Sequence, residues 1–134
     1  PLGIDALKDR AKQMRAAIIN YTSTIGGHVG PNLGDVEALI GVHYVFDAPK
    51  DKIVIDVSHQ DFVHKMLTGR AQYYLDKSMF THIGEFTDPK ESPEYDIFYA
   101  GHTSPSISLA FGLAKARSLK KKTATLLPLS VTVL

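Results

Sequence analysis

The chain has 134 residues, with 15 Lys and Arg against 14 Asp and Glu, six His, no Cys and no Trp. That length fits one ordinary domain or a piece of a larger one, and a chain of this size buries roughly 65–70% of its unfolded surface, enough for a core. A net charge of +1 gives no basic face, so neither nucleic acid nor a membrane surface is an expected partner; the absence of cysteine excludes a disulfide scaffold, a thiolate metal site and a cysteine nucleophile.

Residues 5–22 read as an amphipathic helix. Ile4, Leu7, Ala11, Met14 and Ile18 recur at helical spacing, and Asp5 is the expected N-cap. Residues 26–34, GGHVGPNLG, form a Gly-rich loop in which backbone can approach a ligand closely. A second helix is expected over 34–46, with Leu33, Val36, Ile40 and Tyr44 on one side, stopped by Asp47-Ala48-Pro49. Residues 52–58, KIVIDVS, are apolar on both faces, as in a buried parallel strand. A short helix over 60–68 follows, carrying Phe62, Val63, Met66 and Leu67 and capped at Gly69.

Residues 70–94 show no clean period and read as a long surface loop. Residues 95–100, YDIFYA, read as a second buried strand that exits through Gly101-His102-Thr103-Ser104. Ser104 is the expected N-cap of a helix running to about Leu119, with Pro105 in its first turn and Ile107, Phe111 and Ala114 on one face. Alternating strands and helices indicate an α/β fold with a parallel sheet. No apolar run approaches ~18 residues, so no membrane span is expected. The chain opens Pro1-Leu2-Gly3 without methionine or leader, which points to a frame that starts upstream and to a soluble, cytoplasmic protein.

In an open parallel sheet, ligands bind beyond the carboxyl ends of the strands. His59 and His102 follow the two expected strands, and His28 lies in the Gly-rich loop. One such histidine alone is ordinary; three together point to a shared crevice. A zinc hydrolase is rejected. His59 and His64 are five residues apart, so they point in different directions on a helix, and Gln60 stands where the zinc motif needs Glu. The Gly-rich loop matches neither the P-loop nor the dinucleotide fingerprint.

The segments GGHVGPNLG at 26–34, HYVFDAPKDKIVIDVSHQDFVHKMLTGR at 43–70 and ESPEYDIFYAGHTSPSISLAFGLAKAR at 91–117 resemble the 1-deoxy-D-xylulose-5-phosphate synthase family. The resemblance covers residues 4–119. It implies a partial thiamine-diphosphate-binding, transketolase-like domain with a truncated parallel sheet. It also implies a reaction: pyruvate loses CO2, and its two-carbon unit joins glyceraldehyde 3-phosphate. By the same resemblance His28 acts on substrate oxygen, and His59, Gly101, His102, Thr103 and Ser104 bind thiamine diphosphate. Pro105 departs from the family's usual Gly-His-Ser-Ser-Thr-Ser turn. Family active sites form in homodimers. An alternative reading, transketolase proper acting on sugar phosphates, is disfavoured because its loop after the Gly-His pair differs from GGHVGPNLG.

The family holds the diphosphate through Mg²⁺ bound by an Asp in Gly-Asp-Gly and a later Asn. Neither motif is present, and no acidic residue follows Asp96; no metal ligand is therefore expected here. The activating glutamate is absent as well. Two readings follow: an enzyme portion that is inactive alone, or a non-catalytic remnant that at most dimerises. Residues 120–134 lack family likeness. Codons TTA CCG TTA TCG GTG ACG GTN for Leu127 to Val133, read from the third base, encode Thr-Val-Ile-Gly-Asp-Gly. The expectation is a frameshift near residues 119–126. The plainer reading is a native strand through Leu126, Leu127 and Leu129 beside residues 95–100, which Pro128 disfavours.

Overall fold

The computed structural model describes residues 2–56, 60–101, 105–120 and 126–129. Within them the chain is mostly helical and divides into two compact units. Residues 1–45 and 59–85 form one; residues 46–58 and 86–134 form the other.

The first unit opens with α1 (Ile4–Ile25), longer than expected at both ends. Ala11, Met14 and Ile18 are buried as the periodicity requires, joined by Ala17 and Tyr21, while Ile4 is exposed. The N-cap position is Gly3, not Asp5. Asp5 lies inside the first turn, where its charge complements the helix dipole. Gly26, at φ +91°, ends the helix in a conformation that a side chain would strain.

The Gly-rich segment is only partly a loop. Residues 29–34 form a short helix, α2 (Val29–Gly34), because Pro31 falls in its first turn, where a missing N–H costs nothing. α3 (Val36–Val45) buries Val36, Leu39 and Ile40, and leaves Tyr44 exposed. Next in this unit come α4 (Phe62–Lys65), a π turn (Met66–Arg70) that breaks at Gly69 with φ +92°, and α5 (Gln72–Leu75). A 3₁₀ turn (Lys77–His82) follows. Residues 70–82 are therefore structured where a surface loop was expected. Their anchors are Tyr74 and Phe80, both fully buried. Tyr21 packs against Phe62, Tyr74 and Phe80 at ring-centroid distances of 5.4, 4.9 and 5.1 Å, within the range of favourable aromatic pairs.

In the second unit β1 (Lys52–Ile55) has Ile53, Val54 and Ile55 buried, as a strand covered on both faces must. Its partner is not residues 95–100, which carry no strand. Those residues are tied locally instead: Asp96 N–H donates to the Ser92 carbonyl at 2.8 Å, Thr87 Oγ1 donates to the Phe98 carbonyl at 2.9 Å, and Asp88 N–H donates to Asp96 Oδ2 at 2.9 Å. β1 pairs in parallel with β2 (Leu126–Leu129), placing Lys52 opposite Leu126 and Val54 opposite Pro128. This parallel pair is the whole sheet among the described residues. α6 (Ser106–Leu119) packs on both strands. It buries Ser106 and Ala110, and exposes Ile107 and Phe111, two of the residues expected to share one face.

Candidate functional site

The expected site residues divide between the units. His28 belongs to the first and Gly101 to the second. His59, His102, Thr103 and Ser104, and with them the expected meeting of three histidines, lie outside the described residues.

His28 is the N-cap residue of α2. Its Nδ1 lies 2.5 Å from Glu85 Oε1. Its backbone is held from below by Asn32. The Asn32 amide Nδ2 donates to the His28 carbonyl at 2.7 Å, and Asn32 Oδ1 accepts the Phe62 N–H at 3.1 Å. Asn32 is fully buried. One side chain thus fastens the Gly-rich segment to the first turn of α4, where that helix leaves an N–H unmet. Asn32 and Glu85 were both missed in the sequence. Only the buried amide inside GGHVGPNLG carried a signal, since such an amide must find partners.

Two more sets of polar contacts pin the first unit. Lys65 and Asp61 are fully buried, 4.0 Å apart, and Lys65 Nζ donates to the Gly84 carbonyl at 2.8 Å. That bond fixes the residue before Glu85. Arg15 donates to both carboxylate oxygens of Glu37 and, at 3.2 Å, to the Leu33 carbonyl. The guanidinium holds Glu37 below the usual carboxylate range, while burial pushes Asp35 up.

A separate cavity of about 390 Å³ opens in the first unit, lined by Leu7, Met14, Ile40, His43, Tyr44 and Met66 among others. Neither His28 nor Gly101 lines it. His43 Nε2 lies 2.9 Å from His64 Nδ1. Burial, with the neighbouring His64, holds His43 down at about 4, so it is neutral at pH 7.

In the second unit, Asp56 follows β1 directly and is fully buried. Its Oδ1 accepts the Ser106 N–H at 3.0 Å, which ties the strand's exit to the first turn of α6. Ser106 Oγ is buried with no hydrogen-bond partner among the described residues. Gly101 is needed for space. A Cβ there would come 3.2 Å from the Phe86 ring. Among the described residues, no three His, Asp or Glu side chains cluster to hold a metal ion.

The model of the 1-deoxy-D-xylulose-5-phosphate synthase N-terminal region matches residues 2–130. The chain belongs to that family. It is 50% identical over 113 residues to a 1-deoxy-D-xylulose-5-phosphate synthase of Symbiobacterium thermophilum, covering 84% of this chain and 17% of the relative. It is 48% identical over 119 residues to that of Dictyoglomus turgidum, covering 89% and 19%. It is 44% identical over 128 residues to that of Listeria welshimeri, covering 96% and 20%. The chain thus spans about a fifth of the length of the curated relatives it matches. The family match runs on to residue 130 and so includes β2. None of the described helices is long and apolar enough to cross a membrane.

Proposed function

We propose that this chain is the cofactor-binding N-terminal part of an enzyme that makes 1-deoxy-D-xylulose 5-phosphate and CO2 from pyruvate and glyceraldehyde 3-phosphate, and that alone it does not turn over. In this reading His59, Gly101, His102, Thr103 and Ser104 hold thiamine diphosphate, and His28 serves substrate oxygen. When bound, the cofactor supplies the electron sink for decarboxylation. The chain's own residues position and polarise.

The observation that carries the reading is the Asp56–Ser106 bond. It supports a ligand site at the strand's exit, because it sets the end of β1 against the start of a 14-residue helix. Asp56 already takes the first N–H of that helix, so a diphosphate would draw on the N–H groups that follow it and on the helix dipole. The buried Ser106 hydroxyl, unsatisfied among the described residues, is a group that a ligand's oxygen would complete. On these grounds Ser106 and the start of α6 support a diphosphate site. The residues do not fit Mg²⁺, and no step is assigned to an ion on this chain. The absence of any acidic residue after Asp96 supports inactivity of the chain by itself.

The test is a titration of the chain with thiamine diphosphate, followed through the amide signals of Gly101 and Ser106. The expected result is a saturable shift of both that thiamine without its diphosphate does not cause. No shift at millimolar cofactor contradicts the reading. The whole enzyme in this reading is a cytoplasmic homodimer. We propose further that a frameshift has replaced the family's Thr-Val-Ile-Gly-Asp-Gly within the tail at residues 120–134; against this stand the family match, which runs to residue 130, and the strand at Leu126–Leu129. Sequencing the coding strand across that tail decides this, since intact codons with no shifted family frame contradict it.

A further inference from the structure

His28 and Glu85 are far apart in sequence and meet within the first unit, with Nδ1 2.5 Å from Oε1. Both ends of the contact are anchored. His28 is held through its carbonyl by the buried Asn32. Glu85 follows Gly84, whose carbonyl accepts from the fully buried Lys65. The backbone beside the carboxylate is bare: Gly27 sits at φ +111°, and a Cβ there would come within 3.5 Å of Glu85 Oε1. A loop contact between two half-exposed groups would ordinarily be incidental; one whose two backbones are each pinned by a buried polar side chain is held in register.

We propose that Glu85 is a positioning residue that fixes His28 as the Nδ1–H tautomer, so that the ring's lone pair lies on Nε2. This rests on the reading of His28 given above and adds which nitrogen acts and what selects it. An ionised carboxylate only accepts hydrogen bonds, so Nδ1 must donate. A neutral imidazole has one N–H, so Nε2 is then the acceptor. When Nε2 takes the proton of a substrate hydroxyl, the O–H bond breaks, the N–H bond forms and the electron pair stays on oxygen. The ring then carries a proton on both nitrogens, and the Nδ1–H bond to Glu85 is kept through the transfer. The side chains of His28 and Glu85 are 51% and 35% exposed. The effect therefore lies in hydrogen-bond direction more than in a strong Coulomb attraction.

The experiment uses the full chain labelled with ¹⁵N-histidine. Long-range proton–nitrogen correlation reads the tautomer of each ring, and His28→Gln assigns the His28 signals. The Nδ1–H form of His28 should predominate. In Glu85→Ala the ratio of Nδ1–H to Nε2–H should fall roughly threefold or more, the loss of one charge-assisted hydrogen bond at a half-exposed site. Glu85→Gln, whose amide oxygen still accepts, should fall less. An Nε2–H ring in the unsubstituted chain, or an unchanged ratio in Glu85→Ala, overturns the proposal. Should Glu85→Ala lose its fold, the tautomer of the unsubstituted chain and of Glu85→Gln decides. If thiamine diphosphate fails to bind while the tautomer responds to Glu85, the proposed function falls and the positioning role stands.

Discussion

Asn32 satisfies two backbone groups at once, the His28 carbonyl and the Phe62 N–H, from a buried position. Asn32→Ala leaves both without their partner. The expected loss is about 2–3 kcal/mol of unfolding free energy, measured by urea denaturation. His43 is a different kind of residue-scale feature. Its ordinary value of 6.5 is held down to about 4 in the fold. As pH falls below 6.5 the unfolded chain takes up this proton first, so stability declines from there to about pH 4 and this contribution levels off below it. The urea midpoint followed across that window should show the decline, and His43→Gln should flatten it. The sequence marked His28 as functional through its glycine-rich setting. It did not reveal Glu85, Asn32 or the His43–His64 contact, because each depends on a long-range approach that leaves no periodic trace.

At the scale of elements, long apolar periods were legible and short ones were not. α1 was readable because five turns of regular spacing outvote any single residue. The strand at 52–55 was readable because three consecutive β-branched residues have no polar face to turn to water. α5 and the following 3₁₀ turn escaped because each is about one turn long and is fixed by a single aromatic, Tyr74 and Phe80 respectively. Residues 95–100 have strand composition but no neighbouring strand among the described residues, and composition alone does not make a ladder. The spacing placed Ile107, Phe111 and Ala114 on one face of α6 without saying which face is buried, and the large apolar residues Ile107 and Phe111 are the exposed ones. The buried positions are the small Ser106 and Ala110. Phe111, 73% exposed, should accordingly tolerate Phe111→Ser with a change within about 0.5 kcal/mol in urea denaturation. Gly69 separates α4 from α5 at φ +92° with open space around it. Gly69→Ala should therefore cost about 1 kcal/mol or more through backbone strain alone, read by the same measurement.

For the molecule as a whole, family membership was legible in three sequence segments, each of which carries one of the candidate histidines His28, His59 and His102. What those segments could not convey is how the chain is organised. The described residues are mostly helical, with one parallel pair of strands at 52–55 and 126–129 where strands at 52–58 and 95–100 were expected, and they fall into two units. The first unit holds the loop histidine and its supports; the second joins the strand exit to the helix through Asp56 and Ser106. The chain also carries about a fifth of the relatives' length, and this is why cofactor binding and turnover are separate expectations for it. The most direct test is to supply the purified chain with pyruvate, glyceraldehyde 3-phosphate, thiamine diphosphate and Mg²⁺ and to follow CO2 release. The account predicts cofactor binding with no release above a protein-free control. Sustained CO2 release by this chain alone would contradict it.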